Sequence, residues 1–97
     1  MRSPKDGARL RKTPTLVWLA DAGANYYNVQ LYRGSVKTLS AWPRKARLAL
    51  RKTWKFGGRK YTLTPGPYRW YVWPGFGARA AVNYGEMLGF SSFTIVR

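Results

Sequence analysis

The segment from Leu63 to Trp73, Leu-Thr-Pro-Gly-Pro-Tyr-Arg-Trp-Tyr-Val-Trp, constrains the fold of this chain more than any other feature. Pro65 fixes the backbone φ that the second residue of a turn needs, and Gly66 tolerates the positive φ that follows. The chain therefore reverses just before Tyr68 begins a strand, and the Tyr68 hydroxyl is expected to hydrogen-bond back to the turn. Such a tyrosine corner, with its ring buried, is typical of Greek-key β-sandwiches.

Alternating apolar and polar residues, separated by frequent turn residues, predict an all-β domain of six or seven short strands. In the strand after the corner, Tyr68, Trp70 and Val72 form the inward set. For residues 43–54 a helical turn is the alternative to a strand. The predicted strands lie around residues 15–18, 26–33, 36–40, 47–51, 68–73 and 90–96, with 61–63 leading into the corner.

The first twelve residues differ in composition from the rest of the chain. They carry five cations, and Leu10 is their only sizeable apolar residue. Such a segment cannot bury enough apolar surface to order itself, so residues 1–12 are predicted to form a mobile basic arm. Residues 13–97 are predicted to form the folded domain. A chain of 97 residues is long enough to bury about 60 to 65% of its unfolded surface.

The formal net charge is +15, from 18 basic residues and only three acidic ones. No acidic residue lies between residues 22 and 85. A surface of this kind attracts polyanions, so nucleic acid, anionic cell-envelope polymers and acidic proteins are the favoured partners. The alternative is a solvated basic coat without a specific ligand. No apolar run approaches the roughly 18 residues of a membrane span, so membrane insertion is not expected.

The residue inventory argues against catalysis. The chain has no histidine and no cysteine, which removes the usual general base, thiolate nucleophile and soft metal ligands. Its acids Asp6, Asp21 and Glu86 are isolated in the sequence, so paired-carboxylate chemistry is not expected either. The segment 75–80 matches the dinucleotide pattern G-x-G-x-x-A, but no helix and acidic residue follow at the required spacing. We therefore predict no enzyme activity, no cofactor and no metal site.

One candidate polyanion-binding segment places eight cations within 17 residues, interleaved with aromatic residues such as Trp42, Trp54 and Phe56. Cations would neutralise phosphates and exposed rings would stack on unpaired bases. The alternative is that Trp54 and Phe56 point into the core. The candidate residues are Arg44, Lys45, Arg47, Arg51, Lys52, Lys55, Arg59 and Lys60.

A second candidate surface is the outer face formed by the strands over 26–33 and 68–73, where aromatic rings lie beside Asn28 and Gln30. Flat rings can pack on pyranose rings while amides bond their hydroxyls, so a glycan or a protein partner is expected here. The alternative is ordinary cross-strand stabilisation. The long connection 74–89 adds further candidates, unless it folds back as a lid. The candidate partner-binding residues are Tyr32, Arg69, Tyr71, Trp73, Phe76, Arg79 and Tyr84, with Asn83 and Glu86 also worth testing.

Over residues 13–97 the chain resembles a bacterial fibronectin type III domain. The matching residues are a core tryptophan in the second strand, a Leu-x-Pro-Gly-then-Tyr corner, and a Tyr-x-Val pair in the third strand. Two departures are a corner tyrosine one residue closer to the glycine than in the common animal form, and an apparent insertion over 51–60. The matching positions are Trp18, Tyr27, Val29, Leu63, Pro65, Gly66 and Tyr68.

The sequence segments 26–31 and 70–77 also resemble modules attached to exported actinobacterial proteins. The resemblance implies a non-catalytic module that spaces, displays or binds, in an extracellular or cell-surface protein. The alternative is an intracellular accessory protein that binds nucleic acid, which is the expectation if Met1 is the native start. The two hypotheses require different aromatic residues to be exposed: Tyr71 and Trp73 for the first, and Trp42, Trp54 or Phe56 for the second.

Overall fold

The computed structural model describes residues 1–97 and is all-β, as the sequence predicts. A single 3₁₀ turn, Arg79–Ala81, is its only helical element, and no helix has the length and apolarity needed to cross a membrane. The strands are β1 (Ala8–Leu10), β2 (Thr15–Val17), β3 (Tyr26–Arg33), β4 (Val36–Ala41), β5 (Arg47–Ala49), β6 (Thr53–Phe56), β7 (Arg59–Thr62), β8 (Gly66–Gly75) and β9 (Gly89–Ile95).

Five of the strands form one mixed sheet in the order β1-β9-β8-β3-β4. Strand β8 has ten residues and lies between β3 and β9, antiparallel to both. Strand β1 is parallel to β9 at one edge, and β4 is antiparallel to β3 at the other. Two small antiparallel sheets, β2-β5 and β6-β7, complete the fold.

The core lies on one face of the five-stranded sheet. Tyr68, Trp70 and Val72 are all buried, which confirms the predicted inward set of β8. Directly after β2, the Trp18 ring packs edge-on against Tyr27 at 5.3 Å and lies 6.1 Å from Trp70 between ring centroids. The β2-β5 sheet thereby covers this face. The buried cluster comprises Leu16, Trp18, Tyr27, Val29, Leu31, Leu50, Leu63, Tyr68, Trp70, Val72, Phe93 and Ile95.

The predicted tyrosine corner is present. The Tyr68 hydroxyl accepts a hydrogen bond from the Thr64 backbone N–H at 3.0 Å and donates to the Thr64 carbonyl at 3.2 Å. Arg33 adds a third bond to that hydroxyl at 3.1 Å and also donates to the Pro65 carbonyl at 2.8 Å. Gly66 has φ +134°, and the Arg33 guanidinium fills the space that a side chain at Gly66 would need. The turn is therefore held by side chains from two strands.

The predicted number of six or seven strands is wrong, because the structure has nine. One additional element is the β6–β7 hairpin, whose residues 53–62 overlap most of the apparent insertion over 51–60. Gly57 and Gly58 both have positive φ, 59° and 79°, which suits the two central residues of a tight hairpin turn. The segment 43–54 contains strand residues and no helical turn, so the strand alternative for it is confirmed.

The other additional strand, β1, lies in the segment predicted to be a mobile arm, so the expectation that this segment cannot order is corrected. β1 pairs with β9, and the Asp6 carboxylate accepts hydrogen bonds from the Ser92 N–H and hydroxyl, each at 2.9 Å. Order here comes from backbone hydrogen bonds to a sheet edge, together with partial burial of Ala8 and Leu10 against the core. The mobility of residues 1–12 stays a prediction.

Asp6 gives the attachment of this segment a dependence on pH. Hydrogen bonds from the Ser92 side chain, then from its backbone, hold the pKa of Asp6 below its usual 3.8. A carboxyl group with a lowered folded-state pKa stabilises the fold above the unfolded-state pKa, and this contribution is lost as pH falls through the folded-state value.

We therefore expect Asp6→Asn to lower the thermal midpoint at about pH 6, with the difference from wild type shrinking as the pH falls below about 4. Thermal unfolding followed by circular dichroism over this range measures the difference. The exposed Glu86→Gln is the control, because that residue lies outside the β1–β9 attachment. A difference that stays constant down to about pH 2 would show that the charge on Asp6 does not matter.

Candidate functional site

The outer face of the five-stranded sheet brings together four of the seven predicted partner-binding residues, Tyr32, Arg69, Tyr71 and Trp73. In the β3–β8 register, Asn28 lies opposite Trp73, Gln30 opposite Tyr71, and Tyr32 opposite Arg69. Because side chains alternate along a strand, these six side chains lie on the face opposite the core. In the β8–β9 register, Phe90 lies opposite Tyr71 and extends the same face. We call the set Tyr32, Arg69, Tyr71, Trp73 and Phe90 the aromatic face.

Tyr71 is the centre of the aromatic face. Its ring lies edge-on to Tyr32 at 5.4 Å, stacks with Trp73 at 6.1 Å, and is tilted against Phe90 at 5.8 Å. The Arg69 guanidinium lies 5.6 Å from the Phe90 ring centroid. Phe90 is 54% exposed, and the other three rings are half-buried. The rings hold one another in place, which leaves a preformed aromatic surface open to solvent.

A row of polar side chains runs beside these rings along β3. The Asn28 amide donates to the Ser40 hydroxyl at 2.9 Å, and the Gln30 amide donates to the Asn28 carbonyl oxygen at 2.8 Å. The Tyr32 hydroxyl then donates to the Gln30 carbonyl oxygen at 3.2 Å. Each side chain fixes the orientation of the next one, so the polar groups are ordered before any ligand arrives.

A groove lies at the end of this face, where β3 begins and β8 ends. Tyr26 pairs with Gly75, two residues along from Asn28 and Trp73, and so lies on the same face. The Arg79 guanidinium lies 4.2 Å above the Trp42 ring centroid. We call this the Arg79 groove; it has a volume of about 480 Å³ and is lined by Asn25, Tyr26, Trp42, Arg44, Gly77, Ala78 and Arg79.

The long connection after β8 folds back onto the end of the sheet. The Phe76 N–H donates to the Asn83 carbonyl at 2.8 Å, and the Gly85 N–H donates to the Pro74 carbonyl at 3.0 Å. Tyr84 packs edge-on against Tyr26 at 5.7 Å. Phe76 and Tyr84 are half-buried, whereas Arg79 is exposed. The loop therefore supplies Arg79 to the groove, and its Tyr84 packs against the groove residue Tyr26.

Tyr26 is the most perturbed titratable group near the groove. Burial raises the pKa of its hydroxyl, the neighbouring Tyr84 raises it further, and the positive charge of Arg79 opposes the shift. The side chain is 5% exposed. At neutral pH this phenol is protonated.

The eight cations of the predicted polyanion-binding segment are all exposed, but they are spread over several elements. Lys55 and Lys60 lie directly opposite each other in the β6–β7 hairpin. Among the interleaved rings, Trp54 is half-buried, and its indole N–H donates to the Thr38 carbonyl on β4 at 2.6 Å. Trp54 also stacks on Tyr61 at 6.0 Å. The remaining six cations lie in the β4–β5 connection (Arg44, Lys45), on β5 (Arg47), in the β5–β6 connection (Arg51, Lys52) and on β7 (Arg59).

Two residues of the candidate site, Phe90 and Tyr26, are absent from the sets predicted from the sequence. Phe90 contributes the most exposed ring of the aromatic face, and Tyr26 lines the groove. The signal for Phe90 is its register opposite Tyr71, which requires knowing how β9 pairs with β8. The structure also joins two sets that the sequence kept apart, because Arg44 and Arg79 line the same groove.

Comparison of the chain with protein-family models, with curated proteins and with solved structures found no match. The resemblance to fibronectin type III domains therefore stays a prediction, and the site must be interpreted from its own geometry.

Proposed function

We propose that the chain is a non-catalytic binding module of an exported or cell-surface protein, and that it binds an anionic polysaccharide across the aromatic face. We further propose that the fold is a Greek-key sandwich of the fibronectin type III kind. The order β9-β8-β3-β4 supports this, because β8 pairs with β3 although four strands separate the two along the chain. The tyrosine corner and the separate β2-β5 pairing beneath the sheet support it further.

The observation that carries the proposed function is the preformed aromatic surface beside an ordered polar row. Sugars present apolar C–H faces and polar hydroxyl edges, so they fit a site where flat rings lie next to amides. Rings already fixed by Tyr71 lose little conformational entropy when a ligand binds. A solvent-exposed aromatic patch rimmed by polar residues is typical of a binding surface.

The charge of the chain supports an anionic ligand. The 18 basic residues outnumber the three acidic ones, so at least 15 cations cannot be paired one-to-one with an acidic side chain. Arginines lie at both ends of the aromatic face, Arg69 at one end and Arg79 with Arg44 at the other. A polymer lying along the face would meet positive charge at both ends, and long-range attraction would speed its association.

The test uses Phe90→Ala with Val36→Ala as the matched control. Both residues are 54% exposed, but Val36 lies outside the aromatic face. We expect Phe90→Ala to weaken binding to polygalacturonate or to dextran sulfate about tenfold at an ionic strength of about 0.15 M, because the most accessible ring is lost. Val36→Ala should leave the affinity unchanged. Isothermal titration calorimetry measures both.

Binding that disappears at this ionic strength and responds equally to both substitutions would contradict the proposal. In that case the positive charge acts without a specific surface, and the module is a spacer. The fold of Phe90→Ala is checked by its circular dichroism spectrum and thermal midpoint, and replacement of a side chain that is 54% exposed is expected to be tolerated.

A second candidate function is nucleic-acid binding by an intracellular accessory protein, and the Lys55–Lys60 pair favours it. Like charges directly opposite in a hairpin are destabilising, and a phosphate backbone would relieve the repulsion. A two-stranded ribbon also fits the DNA major groove. Against it, Trp54 is engaged with β4 and is not free to stack on bases. Duplex DNA binding that survives about 0.15 M salt and is lost in Lys55→Gln would favour this candidate.

A further inference from the structure

We propose that the Arg79 groove is a binding site for the negatively charged substituent of the glycan, a carboxylate, phosphate or sulfate group. The identity of the polymer rests on the proposed function, whereas the anion site is argued from the groove itself. None of the residues that line the groove is acidic, and two of them are arginines. The groove therefore holds positive charge that no lining residue neutralises.

The Arg79 guanidinium is held in position rather than extended freely into solvent. It lies on the Trp42 ring, and the Trp42 indole N–H donates to the Tyr84 hydroxyl at 3.0 Å. The Asn25 side chain, which accepts from the Gly77 N–H at 2.7 Å, ties the start of the loop to β3. Stacking uses the face of a guanidinium and leaves its N–H groups at the edge, where they can bond an anion in a bidentate manner.

Tyr26 lines the groove on the side of the sheet. A side chain at Gly75 would collide with the Tyr26 ring, so the ring covers β8 at this point. The side chain is 5% exposed, and its ring contributes an apolar wall beside the two arginines.

The position of the groove fits a substituent of a polymer that lies along the aromatic face. Tyr26 and Gly75 form the second cross-strand pair beyond Asn28 and Trp73 on the same face, about 7 Å further along the strands. This spacing places the cations next to the last ring, within reach of a group attached to a sugar packed there. The Arg79 groove and the aromatic face thus form one continuous surface.

The experiment compares Arg79→Gln with Arg11→Gln. Both arginines are exposed, and Arg11 lies outside the groove, the aromatic face and the polyanion-binding segment, so each variant removes one exposed cation. The ligands are oligogalacturonate and its methyl ester, which keeps the sugar and removes the charge. We expect Arg79→Gln to weaken binding of the charged oligomer about tenfold and to leave the ester unchanged. Arg11→Gln should change neither by more than about twofold.

Equal losses in the two variants would overturn the inference, because the cations would then act only through net charge. A separate titration with inorganic sulfate and phosphate, followed by the NMR resonance of the Trp42 indole N–H, tests the groove without the glycan. A shift that saturates in wild type and is absent in Arg79→Gln supports the anion site even if the oligomers do not bind, in which case the glycan proposal alone fails. No shift, together with equal affinities of the two oligomers, overturns the anion site while leaving the aromatic face intact.

Tyr26→Phe separates a ligand-binding role of the hydroxyl from a structural one. If the hydroxyl is unpaired in the free protein, its removal should raise the thermal midpoint and at the same time weaken binding of the charged oligomer. A structural role predicts the reverse pattern, a lowered midpoint with unchanged affinity. That result would remove Tyr26 from the proposed anion site.

Discussion

Trp70→Ala is expected to lower the free energy of unfolding by about 3–5 kcal/mol, the range found for large-to-small changes in packed cores. Trp70 is fully buried in the middle of β8, and its ring lies 6.1 Å from that of Trp18, the main contribution of the opposite layer. Removing the indole leaves a cavity between the two layers that the strands on either side of β8 cannot close. For a domain of this size the loss is a large part of the total stability.

Equilibrium unfolding in guanidinium chloride measures the change, with the slope of the transition checked for two-state behaviour. Trp70→Phe is expected to lose much less, because the Trp70 indole N–H has no hydrogen-bond partner to forfeit and a ring remains in the core. Leu19→Ala, at a residue that is 65% exposed, is the surface control and should stay within about 0.5 kcal/mol. A loss for Trp70→Ala no larger than that of the surface control would contradict the layer packing described above.

The sequence predicted the parts of the fold that follow local rules. The bounds of β3 agree with the predicted 26–33, and the inward set of β8 is as predicted, because side-chain alternation in a half-buried strand is visible in the sequence itself. The tyrosine corner was also predictable from the local sequence. Pro65 and Gly66 determine the turn, and the hydroxyl of a tyrosine two residues later can reach the backbone that precedes it.

The elements that the sequence did not predict depend on partners distant along the chain. β1 orders by backbone pairing with β9, some 85 residues away, and by packing of Ala8 and Leu10 against the core. Its three residues are too few for a hydrophobic pattern to signal this pairing. The same applies to the site. Arg79 and Trp42 come from different connections, and they meet only because the loop after β8 folds back over the start of β3. The residue types indicated a basic protein rich in aromatic residues, whereas the tertiary structure determines which cation lies beside which ring.

The second large effect is expected for Tyr68→Phe, which should lower the free energy of unfolding by about 1–3 kcal/mol. The substitution keeps the buried ring and its stacking on Phe93 at 5.5 Å, so only the hydroxyl is tested. Without it, the Thr64 N–H and carbonyl lose their shared partner, and the Arg33 guanidinium loses one of its three acceptors in the corner. Denaturant unfolding measures the loss.

Tyr32→Phe is the matched control, because its hydroxyl makes one 3.2 Å bond to a half-buried side chain on the outer face. It should cost no more than about 0.5–1.5 kcal/mol, the net value of a single hydrogen bond. If Tyr68→Phe cost the same as the control, the three bonds of the corner would together be worth no more than one surface bond. The turn would then be fixed by Pro65 and Gly66 alone. A loss clearly above the control shows instead that the hydroxyl joins the turn, Arg33 and β8 into one unit, since the covalent turn is identical in both variants.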